Sequence, residues 1–207
     1  MIKVNVYLAL GDSITAGYGV ESPFSFPSLY AAFLRRRDPD LHVLNYGVNG
    51  LTTGGLLNLL QTNQNLRYSV TQASLITLTI GSNDLLHLIG NPNQIMSTSL
   101  EHTLRTMGQN LTLIGDVLRQ LNPRAIIKVA TLYNPLPAGP YVQYFGQAQG
   151  VLDKANAMIV TWAKRYGAGP VYIDREFRGK ERLLIGQDYV HPNAAGYQVM
   201  AKAFARY

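Results

Sequence analysis

The 207-residue chain has no cysteine, which excludes a disulfide framework, a thiol nucleophile and any cysteine-ligated metal. The absence assigns no compartment, because secreted bacterial-type enzymes dispense with cysteine as readily as cytoplasmic ones. Charge is sparse as well: 18 Lys and Arg stand against 12 Asp and Glu, a net +6 in which Arg35, Arg36 and Arg37 form the one run. That run falls where a helix would end, a position that favours cations for local reasons, and no aromatic-and-basic interleaving accompanies it, so no nucleic-acid partner is expected. No apolar stretch approaches the length of a membrane span. Val4 to Leu10 is apolar but lacks a basic leader and a cleavage-site pattern, and it runs straight into Gly11-Asp12-Ser13. It reads as a buried strand, not a signal peptide. As written the chain is cytoplasmic, and secretion would require a leader already removed; the sequence assigns no oligomeric state. Also missing are a Gly-x-Ser-x-Gly elbow, a Walker-type phosphate loop, a His-Glu-x-x-His pair and a complete dinucleotide fingerprint, since Gly17-Tyr18-Gly19 lacks its third glycine. His42, His87 and His102 are dispersed without metal-ligand spacing, so neither metal nor cofactor is expected.

What is present is an ordinary globular composition, 47% hydrophobic without any low-complexity tract, at a length that suits one domain over residues 1–207. Apolar runs at Val4 to Leu10, Leu41 to Tyr46, Leu75 to Ile80, Ala125 to Leu132 and Val171 to Ile173 read as strands. Helical spacing covers Phe26 to Arg37, Gly54 to Leu66, Gln147 to Arg165 and, most clearly, Thr98 to Leu121, and a last helix follows Pro192. Strands alternating with helices imply a parallel sheet covered on both faces, an α/β/α three-layer sandwich. Chemistry in such folds gathers at the carboxyl ends of the strands. Gly11-Asp12-Ser13, Asn45 to Gly50 and Gly81 to Asp84 each stand at such an end.

A serine hydroxyl is a poor nucleophile at neutral pH and needs a histidine within reach, with a carboxylate to fix the histidine tautomer. Asp188-Tyr189-Val190-His191-Pro192 supplies both across one tight turn, and Pro192 suits the first position of a following helix. Taken alone, His191 reads as a surface histidine ahead of a helix, and Asp12 with Ser13 as a strand-end turn bonding its own backbone. Acyl transfer also needs donors for an oxyanion. Backbone amides at the glycines of Asn45 to Gly50 and the side chain of Asn83 qualify, although a loop glycine and an Asx-turn explain them equally. Leu85, Leu86, Leu88 and Ile89, with Pro135, Leu136, Pro137, Tyr141 and Tyr144 of the Tyr133-to-Phe145 loop, would rim an apolar cleft or pack beneath that loop.

Gly11-Asp12-Ser13-Ile14-Thr15, Gly50, Gly81-x-Asn83-Asp84 and Asp188-x-x-His191-Pro192, in that order, resemble the four blocks of the SGNH hydrolases, also called the GDSL esterases and lipases. Isoleucine replaces the leucine that names the motif. The resemblance implies a flavodoxin-like fold with a five-stranded parallel sheet. It further implies Ser13 as nucleophile, His191 as base and Asp188 as its orienter, with the Ser13 and Gly50 amides and the Asn83 side chain as oxyanion donors. Asp12 and Asp84 would support the site, and Gly47 is the alternative to Gly50. Tyr133-Asn134-Pro135 is similar to the bacterial lysophospholipase-like members of the family. The expected substrate is therefore a small-molecule or lipid carboxylic ester of short to medium acyl chain, with carbohydrate O-acetyl esters as the alternative and a non-catalytic binding module behind them.

Overall fold

The computed structural model describes residues 5–89, 97–140 and 142–207, with the backbone alone at 87–89 and 97–98. In chain order the elements are β1 (Val6–Gly11), α1 (Ser13–Ala16), α2 (Phe26–Arg35), β2 (His42–Gly47), α3 (Thr53–Thr62), α4 (Gln64–Gln72), β3 (Leu75–Thr79) and α5 (Ser82–Ile89). There follow α6 (Ser97–Leu121), β4 (Ile126–Ala130), α7 (Phe145–Arg165), β5 (Gly169–Val171), α8 (Ile173–Phe177), α9 (Glu181–Leu184) and α10 (Ala194–Arg206). The five strands pair in parallel in the order β2-β1-β3-β4-β5, the doubly wound arrangement whose switch point lies between β1 and β3.

Strand side chains alternate between the two faces, and the core divides accordingly. Leu8, Leu10, Ile76, Leu78, Ile127 and Val129 pack against α3, α4, α6 and α7, where Leu56, Met107, Ile114 and Trp162 are buried. Tyr7, Ala9, Leu75, Ala130 and Val171 meet α2, α8 and α10 on the other face, among Phe26, Phe177, Tyr197 and Phe204. Phe26 and Phe204 stack with centroids 4.9 Å apart and both are fully buried. These helix faces are apolar because only an apolar stripe can cover a sheet without stranding polar groups.

The expected strands appear at shifted ends, and Val4 and Tyr141 lie outside the described residues. One expected helix, Gly54 to Leu66, is two. Asn63 takes an extended backbone between α3 and α4, and its side chain accepts from the Leu66 amide to start the second, a cap that sequence periodicity does not register. Ile173, expected at the end of β5, opens α8 instead. The helix over 98–121 runs as expected to Leu121, and the next residue secures its end: the Asn122 amide donates to the carbonyls of Val70 and Ala73 at 2.8 Å each. The Arg run does close a helix, with Arg35 donating to the Leu41 carbonyl at 3.5 Å and Arg36 resting over the Phe33 ring.

Candidate active site

Gly11 ends β1 with φ +151°, and a Cβ there would lie 2.3 Å from the Thr79 carbonyl oxygen. Only glycine lets the chain turn this close to β3. The next two residues open α1: Asp12 caps it by accepting from the Ile14 amide at 3.0 Å, and Ser13 stands in its first position. Asp12 is 1% exposed. Its amide donates to the Thr79 carbonyl and its Oδ1 accepts from the Thr79 hydroxyl, both at 3.0 Å. Burial pushes its carboxyl up to about 6, against the pull of the Ile14 and Thr79 hydrogen bonds. The Thr15 hydroxyl, 2.7 Å from that of Thr79, extends the same buried polar cluster. Across the sheet edge, Asn45 donates to the Thr15 carbonyl at 2.9 Å and accepts from the Gly47 amide at 2.8 Å, tying α1 to β2.

The opposing loop is built from its own hydrogen bonds. Gly186 donates to the His191 carbonyl at 2.7 Å, and Ile185 bridges Pro192 in antiparallel fashion. Asn193 caps α10 through the Gly196 amide and donates to the carbonyls of Leu183 and Ile185. Asp188 Oδ1 accepts from the amides of Val190 and His191 at 3.0 Å each, while Oδ2 lies 2.6 Å from His191 Nδ1. Burial works against the Asp188 carboxylate, but the Val190 amide, the His191 ring and the His191 amide outweigh it and hold the carboxyl below its ordinary value. Tyr189 supplies the turn with φ 59°, a left-handed conformation uncommon outside glycine, Asn and Asp. The Tyr133 hydroxyl fastens the loop from outside, donating to the Val190 carbonyl at 2.7 Å.

These two constructions meet. Ser13 Oγ lies 2.8 Å from His191 Nε2 although 178 residues separate them. A carboxylate can only accept, so Nδ1 carries the proton toward Asp188 and Nε2 is left free to take one from the serine. Ser13 is 7% exposed, enough for access while the sheet shields it from behind.

A third expected group, Asn83, follows β3, the strand that pairs beside β1. Asn83, in the first turn of α5, donates one amide hydrogen to the Leu51 carbonyl at 2.9 Å, which orients the group and leaves its second hydrogen unused by that bond. Asp84 grips the same segment, accepting from the Thr53 amide at 2.9 Å and the Thr53 hydroxyl at 2.5 Å. Gly50 takes φ +75° with open space where a Cβ would be. Gly47 differs: its amide is engaged by Asn45, and a Cβ on it would fall 2.1 Å from the Ala16 nitrogen. It is a close-packing glycine.

The structure thus brings Ser13, Asp12, His191 and Asp188 together, and joins Asn83, Asp84 and the Gly50 segment through Leu51 and Thr53. The sequence reading gave no role to the side chains of Thr79, Asn45 and Tyr133, whose partners are distant in the chain, or to that of Asn193, which left a signal as an N-cap residue after Pro192. Of the residues expected either to rim a cleft or to pack inside, Leu85 packs inside: it is 5% exposed, because α5 turns it toward the sheet. Tyr133, where the loop begins, is 8% exposed and stacks on Phe177. The side chains of Leu88, Ile89 and His87 lie outside the described residues.

Residues 9–199 match the model of the GDSL-like Lipase/Acylhydrolase family. The chain belongs to that family. Spore germination lipase LipC of Bacillus licheniformis is 25% identical over 95% of this chain and 92% of its own length. The crystal structure of the lipase Lip_vut3 from a goat rumen metagenome superposes with a TM-score of 0.80 at 22% identity, covering 97% of this chain and 96% of that one. An acetyl xylan esterase of Geobacillus stearothermophilus reaches a TM-score of 0.72 at 19% identity over 98% and 93% of the two chains. This GDSL-family chain is a carboxylic ester hydrolase with the SGNH α/β fold. Among the described residues no helix is long and apolar enough to cross a membrane.

Proposed function

We propose that this hydrolase, a single domain over residues 1–207, works through a covalent acyl-enzyme on Ser13. The observation that carries the reading is the unbroken line of hydrogen bonds from Ser13 through His191 to Asp188, at 2.8 and 2.6 Å. Ser13 Oγ attacks the ester carbonyl as its proton passes to His191 Nε2, giving a tetrahedral oxyanion and an imidazolium that Asp188 steadies. The imidazolium then returns that proton to the leaving alcohol as the carbon–oxygen bond breaks. Water, deprotonated by the same imidazole, repeats the sequence and releases the acid. The oxyanion would be met by the amides of Ser13 and Gly50 and the free N–H of Asn83. Gly50 serves better than Gly47 because the Gly47 amide is already spent on Asn45.

The substrate reading is a carboxylic ester with a short to medium acyl chain, including lysophospholipid-like esters. Its support is the apolar surface on the connections that follow the strands. Tyr18, Val48, Leu86, Val142 and Tyr144 are exposed on the segments that follow β1 to β4, and Tyr189 is exposed in the histidine loop. Residues 131–145 contain no charged side chain. A rim of this kind favours an acyl chain over a hydroxyl-rich sugar.

Labelling by a fluorophosphonate probe tests the mechanism: the wild-type chain should be labelled and Ser13→Ala should not. Labelling that persists in Ser13→Ala would refute the assignment, and an unlabelled wild-type chain would favour a binding module. Rates on nitrophenyl esters of increasing chain length, set against acetate release from acetylated xylan, test the substrate. Faster release from xylan would replace the acyl-chain reading with the carbohydrate one.

A further inference from the structure

The nucleophile and the residue five positions later are fastened to each other. The Ser13 carbonyl accepts from the amides of Gly17 and Tyr18 at 3.0 and 2.9 Å, closing α1 as a single turn with a Schellman-type end. Ser13 and Tyr18 therefore stand at the two ends of one closed unit. Both reach the same imidazole: Ser13 Oγ lies 2.8 Å from Nε2, and the Tyr18 ring centroid lies 4.4 Å from that of His191 with the planes inclined by 37°. A second tie comes from the helix that follows the histidine loop. Tyr197 of α10, fully buried, donates its hydroxyl to the Tyr18 carbonyl at 2.9 Å. Tyr18 itself is 47% exposed, so core packing explains little of where its ring sits.

We propose that Tyr18 is a positioning residue for His191, a role that rests on the serine-hydrolase reading above. Its ring blocks the rotamers that would swing the imidazole away from Ser13. When proton transfer makes the imidazole a cation, the ring also places an electron-rich face beside the new charge. One helical turn thus delivers both the atom the histidine deprotonates and the surface that keeps the histidine aligned to do it.

The test uses the whole chain with Tyr18→Leu and Tyr18→Phe, reading kcat, KM and the second-order rate of fluorophosphonate inactivation. Tyr18→Leu should lower kcat and the inactivation rate roughly 3- to 10-fold, with KM and the melting temperature nearly unchanged, and Tyr18→Phe should restore both rates. Wild-type rates in Tyr18→Leu, or a Phe variant as slow as the Leu variant, would overturn the proposal. A measurement that needs no substitution stands beside it: the ring protons of His191 should resonate upfield under the Tyr18 ring current, and their appearance at ordinary positions would also overturn it. Ser13→Ala separates the two levels. If it stays active the triad reading fails, whereas an inactive Ser13→Ala with an unaffected Tyr18→Leu removes this inference alone.

Discussion

The two halves of the proposed active site are held in opposite ways. Ser13 is positioned by long-range contacts: its turn is backed by Thr79 on β3 and bound to Asn45 on β2, and its neighbours Asp12 and Thr15 are buried. The histidine loop is positioned largely by itself. Asp188, His191 and Gly186 bond to one another within six residues, and the His191 and Asp188 side chains are 20% and 38% exposed. A nucleophile must be immobile to keep its attack angle, while the base must exchange protons with alcohol and water and so sits where both can reach it. Preorganisation comes from the sheet in one case and from a hydrogen-bonded turn in the other.

If the loop depends on Asp188 to this degree, Asp188→Ala should cost far more activity than stability. Turnover should fall on the order of 1000-fold, with a modest drop in melting temperature because the loop is exposed; steady-state kinetics beside thermal melts will show which falls. Asn83→Ala should lower kcat by ~100-fold or more with KM little changed, and an unchanged kcat would remove the Asn83 amide from the oxyanion site. On the buried side the sharper measurement is pH. The Asp12 carboxyl is raised to about 6, so the native state holds a proton there that the unfolded chain has released above about pH 4. That term favours folding below pH 4 and is lost as pH rises through 6, an effect of up to about 3 kcal/mol. Asp12→Asn should remove this slope, and denaturant midpoints of both proteins at pH 4, 5, 6 and 7 give the difference. The smallest effect is expected at Tyr189, where Tyr189→Val adds β-branching to a left-handed backbone. It should cost roughly 1–2 kcal/mol, while Tyr189→Asn should be better tolerated. Equal melting temperatures for the two variants would mean that the φ of 59° is not a constraint.

Much of this was legible in the sequence, for identifiable reasons. The strands show as largely apolar runs because a sheet covered on both faces admits few polar side chains, and those it admits, such as Thr79, are hydrogen-bonded. The reactive blocks show because each stands at a strand end or before a helix, and their order along the chain carries the family resemblance. Asn63, which divides α3 from α4, left no mark, since an apolar pattern continues across it. The helices α1, α5, α8 and α9 were hidden for another reason: none is longer than eight residues, so periodicity has little room to repeat. The Tyr18–His191 contact and the Thr79–Asp12 bond join residues far apart in the chain, and no local pattern encodes such pairs.

The span of 178 residues between Ser13 and His191 has a consequence for what partial opening of the fold would do. The two groups meet only where α1 and the loop over 186–192 come together, so no local fragment of the chain carries both. On the proposed mechanism, any opening that parts these two segments leaves each intact and still stops hydrolysis, so activity reports on the closed tertiary fold.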